Sequence, residues 1–250
     1  MDGWRGFVGG LNVGEEYLGH KPPLAPWRDT HMELQGPAIA DLQLAFDENW
    51  QWITGQPLTL LPPRPSGGEA TSLIAATGPA DAQETCSLFF VQAIHAARHR
   101  LWLTTPYLVP DSAVNAALQL AIFRGVDVRI LIPSIPDHRT VFLASTLYAH
   151  ESVRAGIRVF RYQPGFTHQK VLLIDDDTTA VGSMNLDNRS LRLNFEITSL
   201  NIDTAFAAEV EQMLVEDFEQ AVEIDVSDYS RLHYVYRVLI HVARLLSPVL

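Results

Sequence analysis

Apolar and polar positions change period several times along the chain, and each change marks an element. Ser87 to His99 and Thr140 to Ala155 carry apolar residues every third or fourth position, as amphipathic helices do. A third helix runs to Arg124, with Asp111 or Ser112 placed to cap it. Short runs rich in β-branched residues fall between them: Leu101 to Thr105, Val126 to Ile132, Ile157 to Arg161, Val171 to Ile174, Thr179 to Val181 and Asn194 to Asn201. A further helix shows Phe206, Val210, Met213, Leu214 and Phe218 on one side. This alternation predicts an α/β fold with a layered, largely parallel sheet and flanking helices.

The first 55 residues follow the same grammar on a smaller scale. Gly6 to Val8 reads as a strand closed by Gly9-Gly10. Trp27 to Gln35 reads as another, with Asp29, His31 and Glu33 on one face. Pro37 suits the first position of a helix whose stripe is Ile39, Leu42, Phe46, Trp50 and Ile53. Proline, glycine and serine then crowd residues 56–72, predicting a linker between a short piece at 1–55 and a longer unit at 73–226. Residues 227–250 form a tail with no acidic side chain after Asp228, while Arg231, Arg237 and Arg244 remain among apolar residues. A basic amphipathic helix of this kind either packs on the core or meets a membrane surface.

Composition narrows the function. With 47% hydrophobic and 19% charged residues, a core is affordable and disorder is excluded. A net charge of −11 argues against non-specific nucleic-acid binding. Cys86 is the single cysteine, so there is no internal disulfide and no paired zinc spacing. The start, MDGWRGF, lacks a signal-peptide pattern, and no run is long and apolar enough for a spanning helix.

The chemistry concentrates in HQKVLLIDDDTTAVGSMN. In extended chain, His168 and Lys170 point to the same side. Val171 to Ile174 anchors them, Asp175 to Thr178 turns the chain, and Gly182 admits close backbone approach. Ser183 and Asn185 then return to the same mouth. Such a pocket suits a phosphodiester. The imidazole attacks phosphorus or protonates a leaving oxygen, Lys170 faces the anionic oxygens, and Ser183 and Asn185 donate hydrogen bonds. The ammonium also depresses the imidazole pKa. No metal or cofactor is required by this set.

His168-x-Lys170-x4-Asp175-x6-Gly182-Ser183-x-Asn185 resembles the His-Lys-Asp motif of the phospholipase D superfamily. TTPYLVPD (104–111), NLDNRSLRLNFE (185–196), FVGGLNVGEEYLG (7–19), PWRDTHMELQGPA (26–38) and the ending RLLSPVL are similar to bacterial cardiolipin synthases. The resemblance implies catalytic His168, Lys170 and Asp175, and phosphatidyl transfer between phosphatidylglycerols through a phosphohistidine. It implies Glu196 as the carboxylate that orients His168. A phospholipid substrate, a bacterial, cytoplasmic, membrane-associated setting and no nucleic-acid partner follow from it. The alternatives are a phospholipase D-like phosphodiesterase, in which water replaces the alcohol, and a non-catalytic remnant that binds phospholipid headgroups.

Asp2-x6-Gly9-Gly10-x-Asn12 repeats the back half of the motif 173 residues earlier (175 − 2). By this register Gly10 and Asn12 support a first pocket half whose His and Lys would precede Asp2. Asp29 sits where that half keeps its carboxylate, with nothing to orient. The expected fold is therefore one complete repeat plus a remnant of the first. A start further upstream, a truncated remnant, or self-association of two chains would each account for it. His31, His95, His99, His138 and His150 lack metal-ligand spacing, and His31 reads as a surface or structural residue.

Overall fold

The computed structural model describes residues 3–65 and 68–250; Asp2, the first residue of the half-motif, lies outside them. In chain order the elements are β1 (Arg5–Gly9), β2 (Trp27–Arg28), β3 (His31–Gln35), α1 (Ile39–Thr54), β4 (Thr71–Thr77), α2 (Thr85–Ala96), β5 (Arg100–Thr104), β6 (Leu108–Val109), α3 (Ser112–Phe123), β7 (Asp127–Pro133), α4 (Arg139–Arg154) and β8 (Arg158–Tyr162). They continue with β9 (Phe166–Thr167), β10 (Val171–Ile174), β11 (Thr178–Gly182), β12 (Leu186–Asp187), α5 (Asn188–Arg192), β13 (Glu196–Ile202), α6 (Thr204–Glu219), β14 (Ala221–Glu223), α7 (Asp228–Arg231) and α8 (Tyr234–Arg244).

Eight strands form the main sheet in the order β14-β8-β7-β5-β10-β11-β13-β4. The expectation of a largely parallel sheet is corrected here. Only β5–β7 and β7–β8 are parallel, whereas β5–β10, β10–β11, β11–β13, β13–β4 and β8–β14 are antiparallel. The cause is local. A turn at Asp175–Asp177 joins β10 to β11 with no crossover helix, and adjacent strands so joined must run oppositely.

Two apolar layers cover the sheet. On one face Leu101, Leu103, Ile130, Ile132, Leu172 and Ile174 pack with α2 and α3. On the other, Trp102, Leu131, Val171, Leu173 and Val181 pack with α6 and with the β1–β3 hairpin. All four residues of β10 are buried, so the strand leaving Lys170 is fixed on both faces. Asp111 caps α3 by accepting the amide of Val114 at 2.8 Å.

The N-terminal piece repeats part of the main unit. β1 pairs with β3 as β11 pairs with β13, both antiparallel. Gly9 faces His31, and Gly182 faces Thr198. Each pair is followed by a 16-residue helix, α1 and α6. The Trp27–Gln35 strand is broken: β2 ends at Arg28, β3 begins at His31, and Asp29 and Thr30 leave the ladder. The predicted stripe of α1 is only partly used, because Ile39 is buried while Phe46, Trp50 and Ile53 are exposed. Residues 56–65 run back along α1. Leu61 exchanges hydrogen bonds with the Gln43 side chain at 2.8 and 3.0 Å, and the Asp47 carboxylate accepts the Leu58 amide at 2.5 Å.

Candidate functional site

The break at Asp29 builds the site. The short β2 strand pairs in parallel with β9, and the amide of His168 donates to the carbonyl of Arg28 at 2.8 Å. That contact sets Asp29 beside His168. Asp29 Oδ2 lies 3.0 Å from His168 Nδ1, with the two side chains 8% and 12% exposed. The sequence between them cannot slide, because neighbouring side chains are pinned below. Thr30 Oγ1 donates to Gln169 Oε1 at 2.6 Å, Gln169 Nε2 donates to Asp217 Oδ2 at 2.9 Å, and Arg28 donates to both oxygens of Asp217.

His168 and Lys170 face the same side although neither lies in a regular strand. Lys170 Nζ is 2.8 Å from both ring nitrogens and donates to the His168 carbonyl at 2.6 Å. Burial pushes the His168 pKa below its usual value, with Lys170 adding to the shift and Asp29 opposing it. Desolvation is thus the leading cause rather than the ammonium. The same burial brings Lys170, 7% exposed, down to about 7. Its charge is therefore conditional near neutral pH, and an anion in the pocket would restore it. Tyr17 and Trp27 stand against the imidazole at 5.5 and 5.2 Å between ring centres.

Gly10 explains its own identity. A Cβ there would come within 2.2 Å of Asp29 Oδ1, so only glycine leaves the carboxylate its place. Asn12 is exposed, and its side chain accepts the amide of Val13 at 2.8 Å and bonds to Tyr17.

Two expectations for this cluster are corrected. Glu196 does not orient His168. Its carboxylate accepts Ser183 Oγ at 2.5 Å, Ser190 Oγ at 2.7 Å and Asn194 Nδ2 at 3.1 Å, and burial raises its pKa against those donors. Asp29, expected to have nothing to orient, is the residue at Nδ1. Sequence position alone could not show this, since the strand carrying Asp29 belongs to the other repeat. Asp175 is the second correction. It lies beyond β10 from Lys170 and adopts φ +51°. Its carboxylate accepts the amides of Arg98, His99 and Arg100 at 2.8–3.2 Å. Burial works against its charge, but these donors outweigh it and hold the pKa below the usual range. Asp175 tethers a turn and does not enter the pocket.

Ser183 is committed to Glu196 and to the Ile197 amide, while Asn185 bonds to Asp187 and leaves Oδ1 buried without a partner. Glu196 precedes Thr198 by two residues, as Asp29 precedes His31, and these are the residues paired with Gly182 and Gly9. The two carboxylates are therefore equivalent in the repeat. Sequence reasoning also passed over Tyr107, whose hydroxyl donates to Asp137 beside the site, and which burial drives far above its ordinary pKa. His31 is exposed and accepts the Leu11 amide at 3.3 Å. Among the described residues no cluster suits a metal ion, and no helix is long and apolar enough to cross a membrane.

Beside β1 opens a cavity of about 800 Å³, lined by Gly6, Val8, Leu42, Phe46, Phe195 and Glu196 among others. β1 has a partner on one edge only among the described residues, whereas β11 is paired on both edges.

Comparison with known proteins gives the family and the fold. Residues 90–218 match the family described as "Cardiolipin synthase, PLD-like domain". The chain is 61% identical over 251 residues to cardiolipin synthase A of Pseudomonas aeruginosa, covering all of this chain and 51% of that protein. The chain thus spans about half the length of the curated relatives it matches. Phosphatidylserine synthase of Haemophilus influenzae superposes with a TM-score of 0.57 at 17% identity, over 72% of this chain and 48% of that one. Nuc of Salmonella typhimurium, a phospholipase D family member, superposes with a TM-score of 0.52 at 19% identity, over 62% of this chain and 99% of its own. The two superpositions speak for the fold.

Proposed function

The chain belongs to the phospholipase D-like domain family of cardiolipin synthases, and from that premise we propose that it carries one half of a phosphatidyl-transfer site. The carrying observation is the His168 ring, held between Asp29 at 3.0 Å and Lys170 at 2.8 Å with part of its edge open to solvent. Asp29 accepts a hydrogen bond from Nδ1–H, which fixes the tautomer and leaves Nε2 for chemistry. Burial favours the neutral ring before substrate binds, while Asp29 favours the charged one. Lys170 gains its proton fully when a phosphate oxygen arrives, so the cation is strongest when charge must be met.

In the full reaction a second H-x-K, not among these 250 residues, supplies the attacking imidazole. That nitrogen bonds to phosphorus of one phosphatidylglycerol as the bond to its headgroup glycerol breaks. His168, drawn into its imidazolium form by Asp29 and the bound phosphodiester anion, gives its Nε2 proton to the leaving oxygen and is left neutral with a free Nε2 lone pair. It then takes a proton from the headgroup hydroxyl of a second phosphatidylglycerol, which displaces the imidazole and forms cardiolipin. Glu196, the repeat equivalent of Asp29, orients the second histidine. The one-sided pairing of β1 and the adjoining cavity support this, since β11 receives on the same edge the strand that leaves Lys170. An upstream segment or a second copy of the chain would both serve.

The test is labelled phosphatidylglycerol with the wild-type chain and His168→Ala. Product should fall by at least about 10²-fold, the low end of acid–base assistance; equal turnover refutes the assignment. If the wild type forms no product alone, vanadate binding replaces turnover. His168→Ala and Lys170→Met should each lose it, and unchanged affinity refutes the phosphate subsite. Release of phosphatidic acid in place of cardiolipin would favour the hydrolase reading.

A further inference from the structure

The C-terminal helix α8 is turned the wrong way for a soluble surface. A surface helix ordinarily buries its apolar stripe and shows its charges to water. In α8 and the turn after it, Tyr234, Val235, Val238, Leu239, Val242 and Leu245 recur every third or fourth residue and all face outward. Tyr234 is 70% exposed, Val242 53% and Leu245 78%. Only Ile240 and Ala243 of the helix are buried. The basic edge lies alongside. Arg244 pairs with Glu151 of α4 and stacks on Tyr148 at 4.8 Å, His241 bonds to the Tyr229 hydroxyl, and Arg237 keeps a buried Nε without a hydrogen-bond partner.

This orientation is fixed at the C-terminal end of the segment. Asn188 Nδ2 donates to the Ser247 carbonyl at 2.8 Å, and the Arg189 amide donates to the Leu250 carbonyl at 3.0 Å. The tail is thereby bolted to α5, which begins three residues after Asn185 of the motif. The exposed face is rigidly related to the pocket.

We propose that α8 and its terminal turn lie flat on a bilayer of anionic phospholipid, with the apolar arc in the acyl boundary and the arginine edge at headgroup depth. Charge selects this occupant. The chain as a whole carries −11, yet no acidic side chain follows Asp228, so residues 229–250 carry three arginines, of which Arg231 and Arg244 pair with Asp228 and Glu151. Placement argues against the missing half of the site as occupant. The edge of β1 with no strand partner among the described residues belongs to the layer on β11 and β13, whereas α8 packs on α4. The inference goes beyond the catalytic reading and does not depend on it.

The test is sedimentation of the full chain with vesicles of phosphatidylglycerol or of phosphatidylcholine, using wild type, the double variant Val242→Glu/Leu245→Glu, and His168→Ala. Both glutamates replace exposed side chains, and circular dichroism checks that the fold persists. Wild type and His168→Ala should bind phosphatidylglycerol vesicles equally, and phosphatidylcholine less. The double variant should lose at least about tenfold in partitioning. Absence of wild-type binding, or equal binding by the double variant, overturns the proposal. Loss of binding in His168→Ala overturns it as well, because adhesion then runs through the pocket. A double variant that changes only the oligomeric mass would assign the face to a second copy of the chain instead.

Discussion

Replacing Lys170 by methionine should make the protein more stable and less active, and the stability gain should fade as pH rises. Methionine keeps the unbranched stem and removes the charge. Lys170 falls from its ordinary 10.5 to about 7 because it is buried. The difference, 10.5 − 7, is 3.5 units, or about 5 kcal/mol of destabilisation carried by the wild type well below pH 7 and about 4 kcal/mol at pH 7. Losing the hydrogen bond to the His168 carbonyl returns roughly 1–2 kcal/mol, so the variant should gain about 3 kcal/mol at pH 7. The sign follows from proton counting. Between pH 7 and 10.5 the unfolded lysine holds a proton that the folded one has released, so wild-type stability rises with pH across that window. The variant lacks this rise, and the gap should narrow by about 2 kcal/mol between pH 7 and pH 9. Above pH 7 the lowered His168 is neutral in both states and does not interfere. Urea unfolding of both proteins at pH 7, 8 and 9, followed by tryptophan fluorescence, measures the gap. A gap that stays constant or widens with pH, or a less stable variant at pH 7, refutes the account of a buried, proton-poor lysine.

Asp29→Asn should lower the His168 pKa further, since Asp29 raises it more than any other group; NMR titration reads the shift, and Glu196→Gln should leave it in place. Gly10→Ala should reproduce the Asp29→Asn titration, because the added Cβ occupies the carboxylate's position. Asp175→Ala should cost about 1–3 kcal/mol in unfolding free energy by leaving three amides without their acceptor. The His168 titration and vanadate affinity of the folded Asp175→Ala protein should match wild type, and a changed affinity would return Asp175 to the pocket.

The sequence spoke clearly where a local period decided the outcome. Val171 to Ile174 is a strand because a continuous apolar run between His-x-Lys and an Asp-rich turn has few other solutions. Asp111 capped α3 through a contact three residues away, well within the reach of sequence reasoning. The α6 stripe buries Val210, Leu214 and Phe218 as its spacing requires. Long-range choices were not legible. Nothing in Trp27 to Gln35 signals that the ladder breaks at Asp29, because the cause is a hydrogen bond from His168, 140 residues away (168 − 28). The Glu196 assignment failed for the same reason. Both carboxylates stand two residues before the partner of a strand-ending glycine, and only the packing of one repeat against the other shows which ring each can reach. α1 misled in another way, since its stripe reads as core although Phe46 and Trp50 stack on each other in the open.

The Asp29–His168 contact joins two parts of the chain that the proline-rich stretch holds apart in sequence. Neither part can be assayed, graft by graft, as if it owned the chemistry. Splitting the polypeptide within 56–65 would leave a histidine whose tautomer is unguarded on one fragment and its guardian on the other. Recovery of the histidine's titration on mixing the fragments would then report their reassembly directly, which makes the dyad a built-in sensor for complementation.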